Sequence, residues 1–146
     1  MKTISKLITA ALLVAFTGSA FAAATVKAGP RKGRILEIEN QQAEFFVEKD
    51  RTISIAFYDA AMKAQPAAAQ VVTATAEAPT GKVKLEFEKK GDLLVSKAPL
   101  PEGEHYTIVV QVKPSADAKP KNFRIPLDLN ICKGCSNPEY ACICDE

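Results

Sequence analysis

Short runs in which apolar and polar residues alternate fill most of this chain from residue 34 onward. In the clearest run, Val83, Leu85 and Phe87 alternate with Lys84 and Glu86. Alternation with a period of two places successive side chains on opposite faces and is typical of half-buried β-strands. Turn residues separate the runs, and no long helical pattern intervenes between them. The pattern therefore predicts an all-β fold with antiparallel pairing, because parallel sheets need crossover helices.

We expect seven or eight short strands between residues 34 and 129, arranged as an antiparallel immunoglobulin-like sandwich with a Cys-rich C-terminal tail. This stretch has neither the Cys pair nor the Trp that is usual in such a core. Cohesion must therefore come from Ile, Val, Leu and Phe. The apolar sides of the alternating runs predict a core that includes Phe57, Phe87, Ile108, Val110 and Ile125.

The polar positions predict the solvent-facing parts of the fold. The segment from Tyr58 to Ala69 is Ala-rich and contains Pro66, which favours a loop over a helical turn. The Lys-rich segment from Lys113 to Lys121 is expected to be a solvated loop, with a basic docking patch as the alternative. The acidic residues early in the chain are expected to form the wet face of a sheet; they are Glu37, Glu39, Glu44 and Glu48.

Residues 1–22 have the features of a signal peptide. Two lysines precede an apolar run from Leu7 to Phe16, and Ala20-Phe21-Ala22 gives the small–x–small pattern that signal peptidase recognises. The run is shorter than the roughly 20 residues that span a bilayer, which disfavours the alternative of a short membrane anchor. We expect cleavage after Ala22 or one residue later, an extended leader over residues 23–33, and a periplasmic or secreted protein.

Charge and composition exclude several functions. The 19 basic and 17 acidic residues become equal in number once the two lysines of the signal segment are removed. A neutral chain has no general attraction to nucleic acid or to anionic membranes. No later apolar run is long enough to embed the chain in a membrane. His105 is the only histidine, so a catalytic triad would depend on it alone; we expect no enzyme, and an exposed His105 rather than a metal ligand.

All four cysteines lie in the predicted tail, residues 130–146. Cys132 and Cys135 form a C-x2-C pair, and Cys142 and Cys144 form a C-x-C pair. The C-x2-C spacing is common among metal ligands, and Gly134 between its cysteines would let the loop turn so that both sulfurs point the same way. Four thiolates suit Zn²⁺ or Cu(I). The pattern therefore indicates a soft-metal site built from these four residues.

Two disulfides are the alternative interpretation of the same cysteines. An even number of cysteines in an oxidising compartment is typical of disulfides. A Cys142–Cys144 bond would close a very small, strained ring, so bonds between the two pairs are favoured. A redox-active C-x2-C is less well supported, because no helix follows Cys135 to lower its pKa. The tail is too short and polar to form a core, so we expect its order to come from an ion or from disulfides.

Several runs carry a resemblance to a known family. They are Lys32-Gly33-Arg34-Ile35-Leu36-Glu37, Gln42-Ala43-Glu44-Phe45-Phe46-Val47, Ile55-Ala56-Phe57-Tyr58-Asp59 and Leu100-Pro101-Glu102-Gly103. In this order, between Lys32 and Leu129, the chain resembles a small periplasmic immunoglobulin-like domain that accompanies heavy-metal efflux systems, including adaptor subunits of resistance-nodulation-division pumps. The resemblance implies a β-sandwich whose partner is a component of a metal-efflux system.

The chain also departs from that family. Its members often carry a histidine just before the first strand and another near the second, where this chain has Arg31, Lys32 and Gln42. The resemblance therefore implies no histidine site here, and the cysteines lie outside it. We expect a non-enzymatic, exported module that binds a soft metal ion through its cysteines and acts near metal efflux or handling. The alternative is a structural or protein-interaction module stapled by two disulfides.

Overall fold

The structure, a computed structural model, describes residues 25–144. The predicted signal segment, residues 1–22, lies outside this range, so its cleavage stays a prediction. Within the range, no helix has the length and apolar character that crossing a membrane requires. The elements are β1 Arg34–Ile38, β2 Gln41–Val47, β3 Ile53–Asp59, β4 Ala64–Gln65, β5 Val71–Ala78, β6 Gly81–Lys90, β7 Leu93–Ser96, β8 Thr107–Lys113, β9 Lys121–Pro126 and a 3₁₀ turn η1 Glu139–Ala141.

The strands form one antiparallel sheet in the order β1-β2-β3-β7-β6-β5-β8-β9, with β4 beside β3. The first half of the long strand β6, Gly81 to Glu86, pairs with β5, and its second half, Phe87 to Lys90, pairs with β7. Strand β6 therefore connects the two halves of the sheet. At the far ends, Lys121 Nζ of β9 donates to the carbonyl oxygen of Glu37 in β1 at 2.6 Å. The all-β, antiparallel prediction is confirmed, but the sheet is nearly barrel-shaped and the immunoglobulin-like arrangement is not confirmed.

The core lies between the two halves of the sheet. The predicted core residues Phe57, Ile108, Val110 and Ile125 are fully buried. Phe87 is only partly buried and packs against the edge of the core, and Val83, on the same face of β6, is 39% exposed. Each half of β6 has a paired strand on one side only, so its side chains lie at an edge. Alternation predicted the inward face of β6 but not this gap beside it.

The short segment after β3 is mostly irregular, as predicted. Asp59 closes a turn by accepting bonds from the backbone N–H groups of Ala61 and Lys63, both at 2.9 Å. Ala64 and Gln65 then form the two-residue strand β4, which pairs with the end of β3. The sequence did not predict β4, because two exposed residues show no measurable alternation.

The wet-face prediction is wrong for Glu44, which is completely buried. Its Oε1 accepts the backbone N–H groups of Arg31 at 2.9 Å and Gly33 at 2.8 Å. Its Oε2 accepts the Tyr58 hydroxyl at 2.6 Å. These three donors compensate the loss of solvation that a buried carboxyl group suffers. Glu37 and Glu39 are exposed, as predicted, and Glu48 is half-buried.

Residues 29–33, predicted as part of an extended leader, form the tight turn that covers Glu44. Gly29 N donates to the Gly33 carbonyl oxygen at 2.8 Å. A Cβ atom added to Gly29 would lie 2.4 Å from Glu44 Cδ, and one added to Gly33 would lie 2.4 Å from the Phe45 carbonyl oxygen. Both glycines are therefore needed for the close approach of this turn to β2. This cover explains why β3 is buried on both of its faces.

Candidate metal centre

The four cysteines lie in a compact segment at the end of the described chain, residues 131–144, which we call the cysteine knuckle. Ile131 and Pro138 form a bridge across it. Cys132 N donates to the Asn137 carbonyl oxygen at 2.8 Å, and Ser136 N donates to the Cys132 carbonyl oxygen at 2.9 Å. These bonds fold the C-x2-C pair into a tight turn and direct its sulfurs toward the second pair.

The sulfur atoms are arranged as a four-ligand set. All four Sγ atoms lie within 4.8 Å of one another. The Sγ atoms of Cys132 and Cys144 are 3.7 Å apart, as are those of Cys135 and Cys142. No disulfide joins any of the four cysteines in the structure. Zinc–sulfur bonds of about 2.3 Å in a regular tetrahedron place sulfurs about 3.8 Å apart. The cluster could therefore hold a metal ion with little movement of its sulfurs.

Gly134 makes this arrangement possible in a way that the sequence did not predict. A Cβ atom added to Gly134 would lie 2.4 Å from Cys144 Sγ. The left-handed residue of the turn is Ser136, with φ of 57°. Gly134 is therefore needed for the close approach of the Cys144 sulfur rather than for the turn of the backbone.

Hydrogen bonds shift the pKa values of the cysteines in opposite directions. Backbone N–H groups of Ile143 and Asn137 donate to the Cys135 sulfur and lower its pKa to about 6. The hydrogen bond with Cys132 contributes most to raising the pKa of Cys142 to about 12, and it also raises the pKa of Cys144. Near neutral pH the cluster therefore carries a thiolate at Cys135 and protons at Cys142 and Cys144, which a metal ion must displace.

Exposure increases across the cluster. Cys132 is 7% exposed and counts among the buried residues. Cys135 and Cys142 are half-buried, and Cys144 is exposed. The apolar side chains beside the ligands are exposed too, Ile131 at 61% and Ile143 at 52%. One side of the cluster is thus closed by protein and the other is open.

A single aromatic side chain anchors the knuckle to the sheet. Tyr140 is buried and packs edge-on against Phe45, with ring centroids 5.5 Å apart. Its hydroxyl accepts the backbone N–H of Val47 at 3.1 Å. We expected the order of the tail to come from an ion or disulfides; the structure adds Tyr140 and the buried Ala141 as a third source. Tyr140 is the one aromatic residue after Phe123, and that was the signal that could have identified it.

The other sequence candidates lie outside this cluster. Among residues 25–144, the four cysteines are the group of His, Cys, Asp and Glu side chains that is close enough to hold an ion. His105 is exposed, as expected, with its Nδ1 3.7 Å from Asp128 Oδ2. Lys121, at the end of the predicted Lys-rich loop, begins β9 and lies over the Phe123 ring at 5.5 Å. It therefore helps to hold the edge strands rather than lying in a free basic loop.

Comparisons of this chain with protein-family models, with curated proteins and with solved structures found no match. The resemblance to an efflux-associated domain therefore stays a prediction that depends on the short runs quoted above.

Proposed function

We propose that this protein is an exported, non-enzymatic β-sheet module that binds one soft metal ion through the thiolates of Cys132, Cys135, Cys142 and Cys144. The observation that carries the proposal is the clustering of all four Sγ atoms within 4.8 Å. Four cysteines scattered by an unstructured tail would not converge in this way. Thiolate ligands favour Zn²⁺ and Cu(I) over the hard ions Mg²⁺ and Ca²⁺.

Zn²⁺ is the ion that we favour. Its structural sites are tetrahedral and often contain four cysteines. The two 3.7 Å sulfur pairs are close to the edge length of such a site. The thiolate at Cys135 would attract the incoming cation before Cys142 and Cys144 lose their protons. Cu(I), which is also bound by thiolates, is the second choice.

Export and a role in metal handling are further parts of the proposal. The charged start, the short apolar run and Ala20-Phe21-Ala22 support export. The efflux-associated resemblance between Lys32 and Leu129 supports a partner in a metal-efflux system. The equal numbers of basic and acidic residues after residue 22 argue against a nucleic-acid partner. The single histidine, exposed and outside the cluster, supports a binding role rather than an enzymatic one.

The alternative is a structural or protein-interaction module with two disulfides. The same 3.7 Å pairs favour it, because Cys132 lies beside Cys144 and Cys135 beside Cys142. Oxidation would then join residues between the two sequence pairs, as the sequence predicted. The two functions differ in what occupies the sulfurs of the purified protein.

Metal analysis and thiol titration of protein purified from the cell envelope without reductant separate these functions. We expect one metal ion per chain and four thiols that react once a chelator has removed the ion. Protein with neither bound metal nor free thiols would contradict the proposal and support the disulfide-stapled module. Replacing Cys135 and Cys142 by Ser should abolish the bound metal. Replacing the exposed Lys133 by Ala should leave it unchanged. The intact mass of the same sample tests cleavage near Ala22.

A further inference from the structure

The four ligands of the proposed site differ in how firmly the protein holds them. Cys132 is buried, and its backbone N–H and carbonyl groups both make bonds that fold the knuckle, to Asn137 and Ser136. The Cys132 sulfur therefore lies on the closed side of the cluster, on a backbone that the turn holds in place. This residue is the least able of the four to leave.

The two half-buried cysteines are held in other ways. Cys135 accepts hydrogen bonds from two backbone N–H groups, which fix its sulfur in the cluster. Cys142 directly follows η1, and its N–H donates to the Glu139 carbonyl oxygen at 3.1 Å. Because Tyr140 of η1 is buried in the core, the backbone of Cys142 is tied to the sheet.

Within the described residues, Cys144 makes no backbone–backbone hydrogen bond to the knuckle, and its sulfur contacts Cys132 Sγ at 3.7 Å. It is exposed and follows the exposed Ile143. Its sulfur lies against Gly134, in space that any side chain at position 134 would occupy. The position of Cys144 thus depends on the absence of a Cβ atom on the opposite turn.

We propose that Cys144 is the displaceable ligand of the site, positioned by Gly134, and that the ion enters and leaves on its side by exchange with a thiolate-bearing acceptor. This inference rests on the proposed metal-binding function. In the exchange, an acceptor sulfur forms a bond to the ion and the bond to Cys144 Sγ breaks. Cys144 leaves as a thiolate and takes a proton from water. The ion keeps its charge, and nothing is oxidised or reduced.

The exchange accounts for the open side of the cluster. A purely structural zinc site is closed, with its four ligands all held by protein. Here three ligands would keep the ion on the knuckle while the fourth is replaced. A thiolate acceptor suits the ion because soft metals keep sulfur ligands through the transfer.

The test compares wild-type protein with three single variants, each loaded with Co²⁺ for spectroscopy and with Zn²⁺ for kinetics. The thiolate-to-cobalt absorption reports how many sulfurs bind the ion. A colour-forming chelator, with glutathione as the thiol, reports the transfer rate. Gly134→Ala keeps all four thiols but should show the reduced absorption of Cys144→Ser. Both variants should release zinc about tenfold faster, at the lower end of the range for loss of a supporting contact around a metal ligand.

Cys132→Ser and Lys133→Ala complete the test. Cys132→Ser should lose tight one-to-one binding, whereas Lys133→Ala should match wild type in absorption and in rate. Equal effects of Cys132→Ser and Cys144→Ser would overturn the inference, as would a Gly134→Ala variant with wild-type absorption and release. A wild-type protein that binds no ion would instead refute the proposed function and this inference together. Binding with no difference among the variants refutes the inference alone.

Discussion

The sheet and the cysteine knuckle obtain their order from different sources. Within residues 25–144, the sheet contains nine strands and a continuous apolar core from Leu36 to Leu127. The knuckle has a single three-residue 3₁₀ turn and contributes two residues, Tyr140 and Ala141, to that core. Burial of apolar area can hold the sheet together without help. The knuckle buries too little for this and places four sulfurs together instead.

Because of this difference, the sheet provides the stability of the folded chain and the knuckle provides the proposed metal site. An ion bound at the knuckle contributes free energy where the chain has little apolar area, because ordering the ligands is coupled to binding. Loss of the ion should therefore change the knuckle and leave the sheet folded. Tyr140 is the point at which the two regions meet.

The largest effect is expected from a change deep in the sheet. Phe57 is fully buried, and Phe57→Ala should lower the free energy of unfolding by about 3–5 kcal/mol. That is a large part of the roughly 5–15 kcal/mol available to a domain. Chemical denaturation of the metal-free protein measures it. Lys84→Ala, on the exposed face of β6, is the control and should cost little. Equal losses of stability in the two variants would contradict the assignment of Phe57 to the core and of Lys84 to the solvent-facing side of the sheet.

Tyr140→Ala should weaken both regions at once. Removing the ring leaves a cavity beside Phe45, at a cost of about 3 kcal/mol, the lower end of the range for buried aromatic residues. It should also weaken zinc binding, because η1 then no longer holds Cys142. Denaturation and competition with a chelator measure the two effects.

Tyr140→Phe is the matched control for that change. It removes only the bond from the Val47 N–H, which is worth about 0.5–1.5 kcal/mol. If Tyr140→Ala altered zinc binding without any loss of sheet stability, Tyr140 would belong to the knuckle alone and the two regions would not meet at this residue.

Glu44→Gln should have an intermediate effect that is confined to the sheet. The amide oxygen can still accept the two backbone N–H groups, but the amide NH₂ replaces the oxygen that accepts the Tyr58 hydroxyl. A mismatched buried polar group costs about 1–3 kcal/mol. Hydrogen exchange should increase at Arg31 and Gly33, whose N–H groups bond to Glu44. Glu37→Gln, at an exposed position, is the control; a similar loss there would argue against a special role for the buried carboxyl.

Glu44 also shows how much of the fold the sequence could predict. Alternation predicted seven or eight strands between residues 34 and 129, among them the run that forms β6. Four of the five core residues named from it are fully buried, because period two records which side chains share a face. It could not predict that the turn at residues 29–33 covers the outer face of β2 and β3. That cover depends on contacts between residues far apart in the chain, so a buried glutamate and an exposed one have the same sequence pattern.

The sequence predicted the four ligands of the candidate site, but not the residues that hold those ligands in place. Spacing alone identified the four cysteines, because short loops bring C-x2-C sulfurs together. The roles of Tyr140 and Gly134 arise from packing against Phe45 and Cys144. Local spacing carries no information about such contacts, and for this reason Gly134 was assigned to the turn rather than to the sulfur.

Metal removal should affect the knuckle and spare the sheet. Hydrogen exchange of the zinc-loaded protein, with and without a chelator, measures this directly. The N–H groups of Cys132 and Ser136 should exchange faster after chelation, whereas those of β8 should not change. If a reductant produces this effect and a chelator does not, disulfides rather than an ion order the knuckle. Faster exchange throughout β8 would mean that the two regions are not separable.

The smallest effects concern the pH response of the sheet near neutrality. Burial is the main cause that raises the pKa of Tyr58, Tyr106 and Tyr140. Their contribution to stability is fully present below the unfolded-state pKa of about 10 and is lost as the pH rises above it. Between pH 6 and 9 these groups keep one charge state, so we expect the stability of the sheet to change little in that range. Denaturation of metal-free protein across the range, extended to pH 11, checks this.

Over the same range of pH, the zinc affinity of the knuckle should change strongly. Hydrogen bonding keeps Cys142, with a pKa of about 12, and Cys144 protonated, while Cys135, with a pKa of about 6, is a thiolate. Zinc must therefore displace at least the two protons of Cys142 and Cys144, so its affinity should fall as the pH falls from 8 to 6, by at least about two powers of ten per pH unit. Below pH 6 the proton on Cys135 should make the decrease steeper. Titration calorimetry in two buffers of different ionisation enthalpy counts the released protons. Release of fewer than two would mean that Cys142 and Cys144 do not both bind the ion as thiolates, and the knuckle would then differ from the sheet in its packing but not in its pH response.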